Sequence, residues 1–219
     1  MITEPPPIEE DLLTVADELR RRLLSGQYRG GEQLRDTDLS QEFGVARPTV
    51  RAAIQTLVAD GLLERGRGRS AQVRSFTAED AIDLYQVRRP IETAAVDLML
   101  SRSPTGRGRE RRAAAVHRVG GRRVLGRVAD HDVAFHRAVF TAAGSVRLLR
   151  PFDEVSAELR LLIAQLRPAY ASVSDLAHEH ELLLVALRTG NAQRARVAWG
   201  EHFNHSERFF LDLIQERAR

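Results

Sequence analysis

Residues 34–73 constrain the fold of this chain more than any other segment. They read LRDTDLSQEFGVARPTVRAAIQTLVADGLLERGRGRSAQV and carry, in order, signals for a short helix, a tight turn, a second helix and a Gly/Arg hairpin. Asp36 is suited to cap the first helix, and Gly44 to end it in the left-handed conformation. Pro48 is suited to the first turn of the second helix. This order predicts a winged helix-turn-helix, a fold that binds DNA.

The second helix of this segment has a polar and an apolar face. Its polar face carries Arg47, Thr49 and Arg51, with Gln55 one turn further on. Donors at the N-terminal end of a recognition helix meet bases and phosphates, and the guanidinium fork suits both. The opposite face is assigned to a core by apolar residues at helical spacing, namely Val50, Ala53, Ile54, Leu57 and Val58.

The hairpin that follows is predicted to form the wing. Leu62–Glu64 and Ala71–Val73 are expected to be short strands, and Arg65–Arg69 between them a flexible positive tip. Such a tip suits a DNA groove or backbone. The alternative is a generic helical hairpin whose charged face is merely solvated. The complete order of cap, turn, Pro-started helix and basic hairpin favours DNA binding.

The segment Val45–Ile54, VARPTVRAAI, with Gly61-Leu62-Leu63 and Gly66 to Gly68 after it, resembles the N-terminal domain of GntR-like bacterial transcriptional regulators. The resemblance implies double-stranded DNA as partner. The DNA contacts that it implies fall on Arg47, Thr49, Arg51, Arg67 and Gly68.

Three departures from that family pattern limit what is transferred. Ala46 stands in place of a hydroxyl residue, and Gly30-Gly31 in place of Pro-Gly. Thr37 stands where some relatives carry a base-reading arginine. The operator sequence of relatives is therefore not transferred to this chain.

Length and composition agree with a two-domain cytoplasmic regulator. The 219 residues leave room for a winged helix-turn-helix DNA-binding domain over 1–75 and a larger domain over 76–219. The absence of cysteine excludes disulfides and thiolate metal sites. The N-terminus shows no signal peptide, and no uncharged stretch has membrane length. We expect a cytoplasmic protein that does not associate with membranes.

Positive charge is distributed unevenly along the chain. The net charge is +3, and all 33 basic residues are arginine. Residues 1–74 hold 11 Arg against 12 acids, so the positive charge for DNA must be local. Residues 101–127 hold 9 Arg and one acid, together with five glycines and Pro104. This segment is interpreted as a solvated loop, with a second nucleic-acid arm or an irregularity of the sequence as alternatives.

The remainder of the chain predicts an all-α antiparallel bundle. Upstream of the helix-turn-helix, an amphipathic helix begins near Leu12 and ends at Gly26. After a boundary at 75–77, no strand alternation and no internal repeat is found. The helices of the second domain are predicted from apolar periodicity and from glycine turns, at about 77–101, 127–143, 146–166, 173–189 and 191–217.

Histidines and one acid on apolar helix stripes predict a metal site. Asp132 and His136 are four apart, hence on one helical face. His180 and His202 lie on apolar stripes of two later helices. Each histidine alone is more often a core or surface group, but the set favours a site for Zn²⁺ first, or for Ni²⁺ or Mn²⁺. His131, His178 and His205 are expected at the surface, with His205 as a substitute ligand.

The same region resembles the FCD effector domain of the FadR-type branch of GntR-like regulators. The resemblance rests on DAIDLYQVRRPIE from Asp80, on DVAFH from Asp132 and on EHELLLVALRTGN from Glu179. It implies metal ligands at Asp132, His136, His180 and His202, and a small carboxylate as effector. Arg88 faces inward and is expected either to bind that carboxylate or to pair with Glu92.

These observations predict a ligand-responsive transcriptional regulator that is not an enzyme. It would bind a palindromic operator as a homodimer, and a small organic acid at the metal would shift the bundle and the spacing of the DNA-binding domains. Two alternatives remain open. His131-Asp132 in a helical bundle is also found in HD-type metal phosphohydrolases. The bundle could also serve dimerisation alone, with its polar core groups paired to one another.

Overall fold

The structure is a computed structural model, and it describes residues 8–66, 70–102, 113–116, 128–166 and 173–217. The chain divides into two compact units, Met1–Ser75 and Phe76–Arg219. The first unit carries three helices and a small antiparallel sheet, and the described part of the second is helical. The prediction of a mainly α fold with an N-terminal winged helix-turn-helix is confirmed.

The first unit is built around its third helix. Helices α1 and α2 both pack against α3. The core between them is formed by fully buried leucines, among them Leu19, Leu23 and Leu57. In chain order the elements of this unit are α1 Ile8–Leu24, β1 Gln33–Arg35, α2 Asp36–Phe43, α3 Arg47–Ala59, β2 Leu63–Arg65 and β3 Ser70–Val73.

The sheet of this unit has three strands in the order β1-β3-β2, all antiparallel neighbours. The two wing strands lie where the sequence predicts them, to within about a residue. Strand β1 was missed because three residues are too short to show an alternating pattern. At the wing turn, a Cβ on Gly66 would lie 2.7 Å from Ser70 Oγ, so only glycine fits without a shift.

Both ends of α2 were predicted, and one prediction is wrong. Gly44 ends the helix with a left-handed φ of 67°, as expected. Asp36 does not cap the N-terminus, since the cap position is Arg35 and no side chain caps there. Asp36 is instead the first helical residue, and its carboxylate accepts hydrogen bonds from Arg47 and Arg51 of α3. Two guanidinium groups outcompete the backbone N–H groups for this carboxylate because charge-assisted bonds are the stronger ones.

The second unit is centred on its first helix. Helix α4 packs against α5, α6 and α8, and α7 packs against α8. A capping box between Thr77 and Asp80 fixes the start of α4. The helices are α4 Ala78–Ser101, α5 Val128–Ala143, α6 Val146–Leu166, α7 Val173–Thr189 and α8 Ala192–Arg217, with a further helical turn at 113–116.

Aromatic side chains pack among the aliphatic residues in the core of this unit. The rings of Phe140 and Phe152 stack with their centroids 4.5 Å apart, and Tyr85 meets Phe203 edge-on. Trp199 is fully buried as well. These rings come from α4, α5, α6 and α8, and they hold together the helices that carry Asp132, His136 and His202.

Most of the arginine-rich segment 101–127 lies outside the described residues. Arg102, at its start, donates from Nη1 to the carbonyl oxygens of Ala143 and Gly144, at 2.6 and 2.9 Å. One arginine therefore joins the end of α4 to the end of α5. Among the described helices, no stretch combines the length and apolar character needed to cross a bilayer.

Candidate functional site

The structure brings four side chains together in the middle of the second unit. Asp132 and His136 come from α5, His180 from α7 and His202 from α8. One potential ligand atom from each lies within 4.8 Å of all the others, and all four residues are buried. The sequence places each on an inward stripe, and helix packing makes these stripes converge.

Three imidazole Nε2 atoms and one carboxylate oxygen face one another. Asp132 Oδ1 lies 3.6 Å from His136 Nε2 and 3.4 Å from His180 Nε2. The Nε2 atoms of His136 and His202 are 3.2 Å apart. Phe135 stacks on the His180 ring at a centroid distance of 4.1 Å, which restricts that ring's orientation.

The polar atoms of this cluster do not satisfy one another. Asp132 Oδ2 and His180 Nε2 are buried without a hydrogen-bond partner in the described residues. Leaving such groups unpaired costs about 1–3 kcal/mol each. A cation bound between the four side chains would be coordinated by their lone pairs, and imidazole with one carboxylate suits Zn²⁺, Ni²⁺ or Mn²⁺. The residues present therefore fit a divalent metal, and they argue against a bundle whose polar groups merely pair.

Two further carboxylates stand behind the histidines. Glu92 Oε2 lies 2.6 Å from His136 Nδ1, and Glu179 Oε2 lies 2.8 Å from His202 Nδ1. A carboxylate on the far nitrogen of a ligating imidazole fixes its tautomer and ring orientation and raises its basicity. Sequence reasoning considered Glu92 only as a partner of Arg88 and gave Glu179 no role. The contacts Glu92–His136 and Glu179–His202 each join two different helices, so spacing along the chain does not indicate them. The one sequence signal for Glu179 was its position next to His180.

The charges of the cluster are mutually dependent. Burial opposes the charged form of His136, but the nearby carboxylates of Glu92 and Asp132 outweigh it and raise the pKa of His136 to about 9. Burial lowers the pKa of His180 to about 4 and also lowers that of His202. Despite burial, the Arg88 and His136 charges lower the pKa of Glu92 to about 2. The ionised form of Glu92 is thus favoured, and its carboxylate together with that of Asp132 favours the protonated form of His136.

Counting the ionised groups indicates the charge that the site would accept. Histidines that bind a metal are neutral. The carboxylates of Asp132, Glu92 and Glu179 would then face a single compensating cation in the part of the chain that the structure describes, Arg88. The excess is two negative charges. A divalent cation would neutralise them in a buried region where uncompensated charge is costly.

Arg88 pairs with Glu92, one of the two partners expected for it, and binding of an effector carboxylate stays a prediction. Its Nε donates to Glu92 Oε1 at 2.8 Å, so the pair within the helix is present. The guanidinium lies over the rings of Tyr85 and Phe203, 5.2 and 5.6 Å from their centroids. Its Nη2 is buried without a hydrogen-bond partner among the described residues. One donor edge of a buried arginine is therefore not used by the pair with Glu92.

The remaining histidines considered lie outside the four-residue cluster. His131 is half-buried and His178 is exposed. The side chain of His205 is 67% exposed and contacts Glu179 through Nδ1. The structure thus places His205 behind the ligand set, where it shares Glu179 with His202.

The first unit presents part of the predicted DNA-contacting face. The side chains of Arg47 and Arg51 are 42% and 45% exposed, and Gln55 is exposed. The expectation that Thr49 shares this exposed edge is wrong, since Thr49 is only 7% exposed and belongs to the buried side of α3. Thr49 lies four residues before Ala53 and eight before Leu57, so it shares the buried stripe of α3. Arg67 and Gly68 lie outside the described residues.

Both domains match known protein families. Residues 12–73 match the model of the bacterial regulatory proteins of the gntR family, and residues 83–205 match the FCD domain. The chain is 26% identical over 197 residues to the probable D-xylose utilization operon transcriptional repressor of Paenarthrobacter nicotinovorans, covering 86% of this chain and 85% of that one. It is 25% identical to the HTH-type transcriptional regulator LutR of Bacillus subtilis, covering 89% and 99%.

Shorter and structural similarities agree with these matches. The uncharacterized HTH-type transcriptional regulator YdhC of Bacillus subtilis is 33% identical over 84 residues, which is 38% of each chain. The crystal structure of a putative transcriptional regulator GntR from Rhodococcus sp. RHA1 has a TM-score of 0.75 at 27% identity, covering 92% of this chain and 97% of that one. E. coli McbR/YncC has the same coverage, a TM-score of 0.67 and 16% identity, a similarity of fold alone.

Proposed function

Because the chain belongs to the gntR family of bacterial regulatory proteins and carries an FCD domain, we propose that it is a transcriptional regulator whose operator binding depends on a metal and a small carboxylate. Membership of the family establishes a DNA-binding domain and an effector domain in one chain. The metal, the carboxylate and the residues that bind them are the proposal. The full-length relatives are named as regulators, which favours this function over phosphate ester hydrolysis.

One observation carries the metal part of the proposal, the convergence of Asp132, His136, His180 and His202. Their unpartnered buried atoms, the carboxylates behind two of the imidazoles and the excess of two negative charges all favour a divalent cation. Zn²⁺ is the first candidate, with Ni²⁺ and Mn²⁺ as the others. When bound, such a metal supplies a Lewis-acidic centre to which a small oxyanion can bind.

The effector part rests on Arg88. Its buried Nη2 has no hydrogen-bond partner within the described ranges, and a carboxylate is the group that an arginine fork binds best. Arg88 is also joined through Glu92 to His136. A small organic acid held by Arg88 and the metal would therefore contact two sites that are already linked to each other, since Glu92 joins Arg88 to His136. If the acid binds more tightly to one arrangement of the bundle, it would increase the population of that arrangement and thereby change the affinity for the operator.

The DNA part assigns base and phosphate contacts to Arg47 and Arg51, with the wing tip at Arg67 and Gly68 as a further contact. The two arginines are exposed at the N-terminal end of α3, the position from which recognition helices enter the major groove. A homodimer would place two such helices on the half-sites of a palindromic operator. Thr49 is left with at most a backbone contribution because its side chain is buried.

The test begins with the metal content of the purified full-length protein. We expect about one divalent ion per chain, and a lower melting temperature after chelation, because a ligand that binds only the native state stabilises it. His180→Ala is expected to abolish both the bound metal and the effect of the chelator. His178→Ala removes an exposed histidine from the same helix, two residues away, and is expected to leave both unchanged.

Operator binding tests the remaining part. A duplex selected from random DNA by the wild-type protein would be titrated with metal-loaded and chelator-treated protein, with and without small mono- and dicarboxylates. We expect an effect of carboxylate that requires both the metal and Arg88. Purified protein that binds no metal, or a His180→Ala variant with an intact carboxylate response, would refute the metal-dependent mechanism while leaving DNA binding intact.

A further inference from the structure

A buried acid lies beneath the exposed arginines of the recognition helix. Asp36 is the first residue of α2, and its side chain is only 5% exposed. Its Oδ2 accepts a hydrogen bond from Arg51 Nε at 2.6 Å. Arg47 Nη2 donates to both carboxylate oxygens, at 3.1 and 3.2 Å. One carboxylate of α2 therefore holds the two side chains that the DNA assignment depends on.

The geometry of these hydrogen bonds leaves part of each guanidinium available for DNA. Arg51 binds Asp36 only through Nε, so its two terminal nitrogens are not engaged by the carboxylate. Arg47 binds through Nη2, and its buried Nε has no hydrogen-bond partner among the residues that the structure describes. Each guanidinium is thus anchored through one nitrogen while nearly half of each side chain remains exposed.

Anchoring has two physical consequences for recognition. A free surface arginine loses rotamer freedom when it binds, and a side chain already held in place loses less. The buried carboxylate also offsets one of the two positive charges, which weakens attraction to any phosphate backbone regardless of sequence. Bidentate pairing with a base edge depends on the orientation of the guanidinium, so it is weakened less than the attraction to phosphates. Both consequences raise the ratio of specific to non-specific affinity.

We propose that Asp36 is a positioning residue that sets the sequence specificity of this regulator by orienting Arg47 and Arg51 and partly neutralising them. The inference rests on the proposed roles of these two arginines at the operator. The carboxylate itself would not touch DNA. A lowered pKa agrees with this role, since the hydrogen bond from Arg51, followed by that from Arg47, lowers the pKa of Asp36 in spite of burial.

The competing explanation is that Asp36 only joins α2 to α3. In that case its loss would destabilise the unit but would weaken binding to the selected duplex and to the scrambled duplex equally. The matched control is Asp38→Asn. Asp38 is exposed, lies two residues along the same helix and is hydrogen-bonded to Thr37 rather than to an arginine. Asp36→Asn and Asp38→Asn remove the same charge from the same helix.

The experiment uses full-length protein and a duplex selected by the wild type from random DNA, with a scrambled duplex of equal length as reference. At fixed salt, we expect Asp36→Asn to lower the ratio of the two affinities about tenfold or more. Affinity for the scrambled duplex is expected to rise, with a steeper salt dependence. Asp38→Asn is expected to leave the ratio within about twofold of the wild type. Equal ratios for the two variants would overturn the inference.

Two further measurements keep the outcome decisive. In an Arg51→Ala background, Asp36→Asn is expected to change the ratio much less, because Asp36 acts in large part through that arginine. If Asp36→Asn does not fold, Asp36→Glu keeps the charge with a longer side chain, and an unchanged ratio in that variant would overturn the inference. A wild-type protein that selects no sequence would refute the DNA assignment instead.

Discussion

Removing Glu179 tests whether the carboxylates behind the histidines belong to the metal site. Glu179 accepts from His202 Nδ1 at 2.8 Å and contacts His205 through its other oxygen. Its side chain is 21% exposed, so its replacement opens no fully buried cavity, although the buried His202 loses its Nδ1 partner. The variant Glu179→Ala is therefore expected to fold and to bind metal more weakly.

The expected magnitude follows from the contacts that are lost. Outer carboxylates of ligating histidines contribute about 10–100-fold to metal affinity, which is about 1.4–2.7 kcal/mol. Glu179→Gln keeps an acceptor oxygen but replaces a charge-assisted bond by a neutral one of roughly half the strength. We therefore expect a loss of about tenfold for Glu179→Gln. Glu179→Ala, which leaves His202 without an orienting partner, should approach a hundredfold.

The assay is competition for Zn²⁺ against a chromophoric chelator at constant pH, with melting temperatures recorded for the metal-free variants. Glu181→Ala provides the control. Glu181 lies on the same helix, two residues away, and pairs with Arg188. The reasoning is refuted if Glu179→Ala and Glu181→Ala bind Zn²⁺ with affinities within about threefold of each other. A similar melting temperature of the metal-free proteins would show that the difference arises at the metal site.

Three further predictions concern buried or capping charges. Arg88→Met should destabilise the metal-free protein by about 3 kcal/mol in urea unfolding, because Glu92 would keep only His136 as partner; a loss below about 1 kcal/mol would contradict this. The lowered pKa of Asp36 means that its stabilisation is complete above its ordinary pKa of 3.8 and is lost at lower pH. The difference in free energy of unfolding between wild type and Asp36→Asn should therefore shrink below that pH, and a constant difference would refute the assignment. Arg102→Ala should cost about 1 kcal/mol in the same assay by freeing the carbonyls of Ala143 and Gly144, and no loss would show that these bonds are not formed in solution.

The helices of the second unit could be read from the sequence because their signals are local. The predicted spans 146–166 and 173–189 match α6 and α7, whose ends are marked by apolar periodicity and glycine turns. The inward position of His136 and Asp132 follows from the same periodicity, since residues four apart share a face. The resemblance to the FCD domain then implied four metal ligands, and the structure places one potential ligand atom of each within 4.8 Å of those of the others.

Features that join separate elements could not be read in this way. Strand β1 pairs with β3 across 35 to 39 residues of chain, and three residues carry no pattern of their own. Asp36 satisfied the local rule for a helix cap, yet α3 presents two guanidinium groups that bind it more strongly. The partnership of Glu179 with His202 depends on the register between α7 and α8.

The sequence alone predicted which side chains would contact DNA and which would bind a metal, because helical periodicity and family motifs can be recognised residue by residue. Only the tertiary structure decided what stands behind those side chains. Glu92 and Glu179 support the histidines, and Asp36 supports Arg47 and Arg51. The physical reason is that buried charges take their partners from neighbouring elements, and the distances involved are set by packing rather than by spacing along the chain.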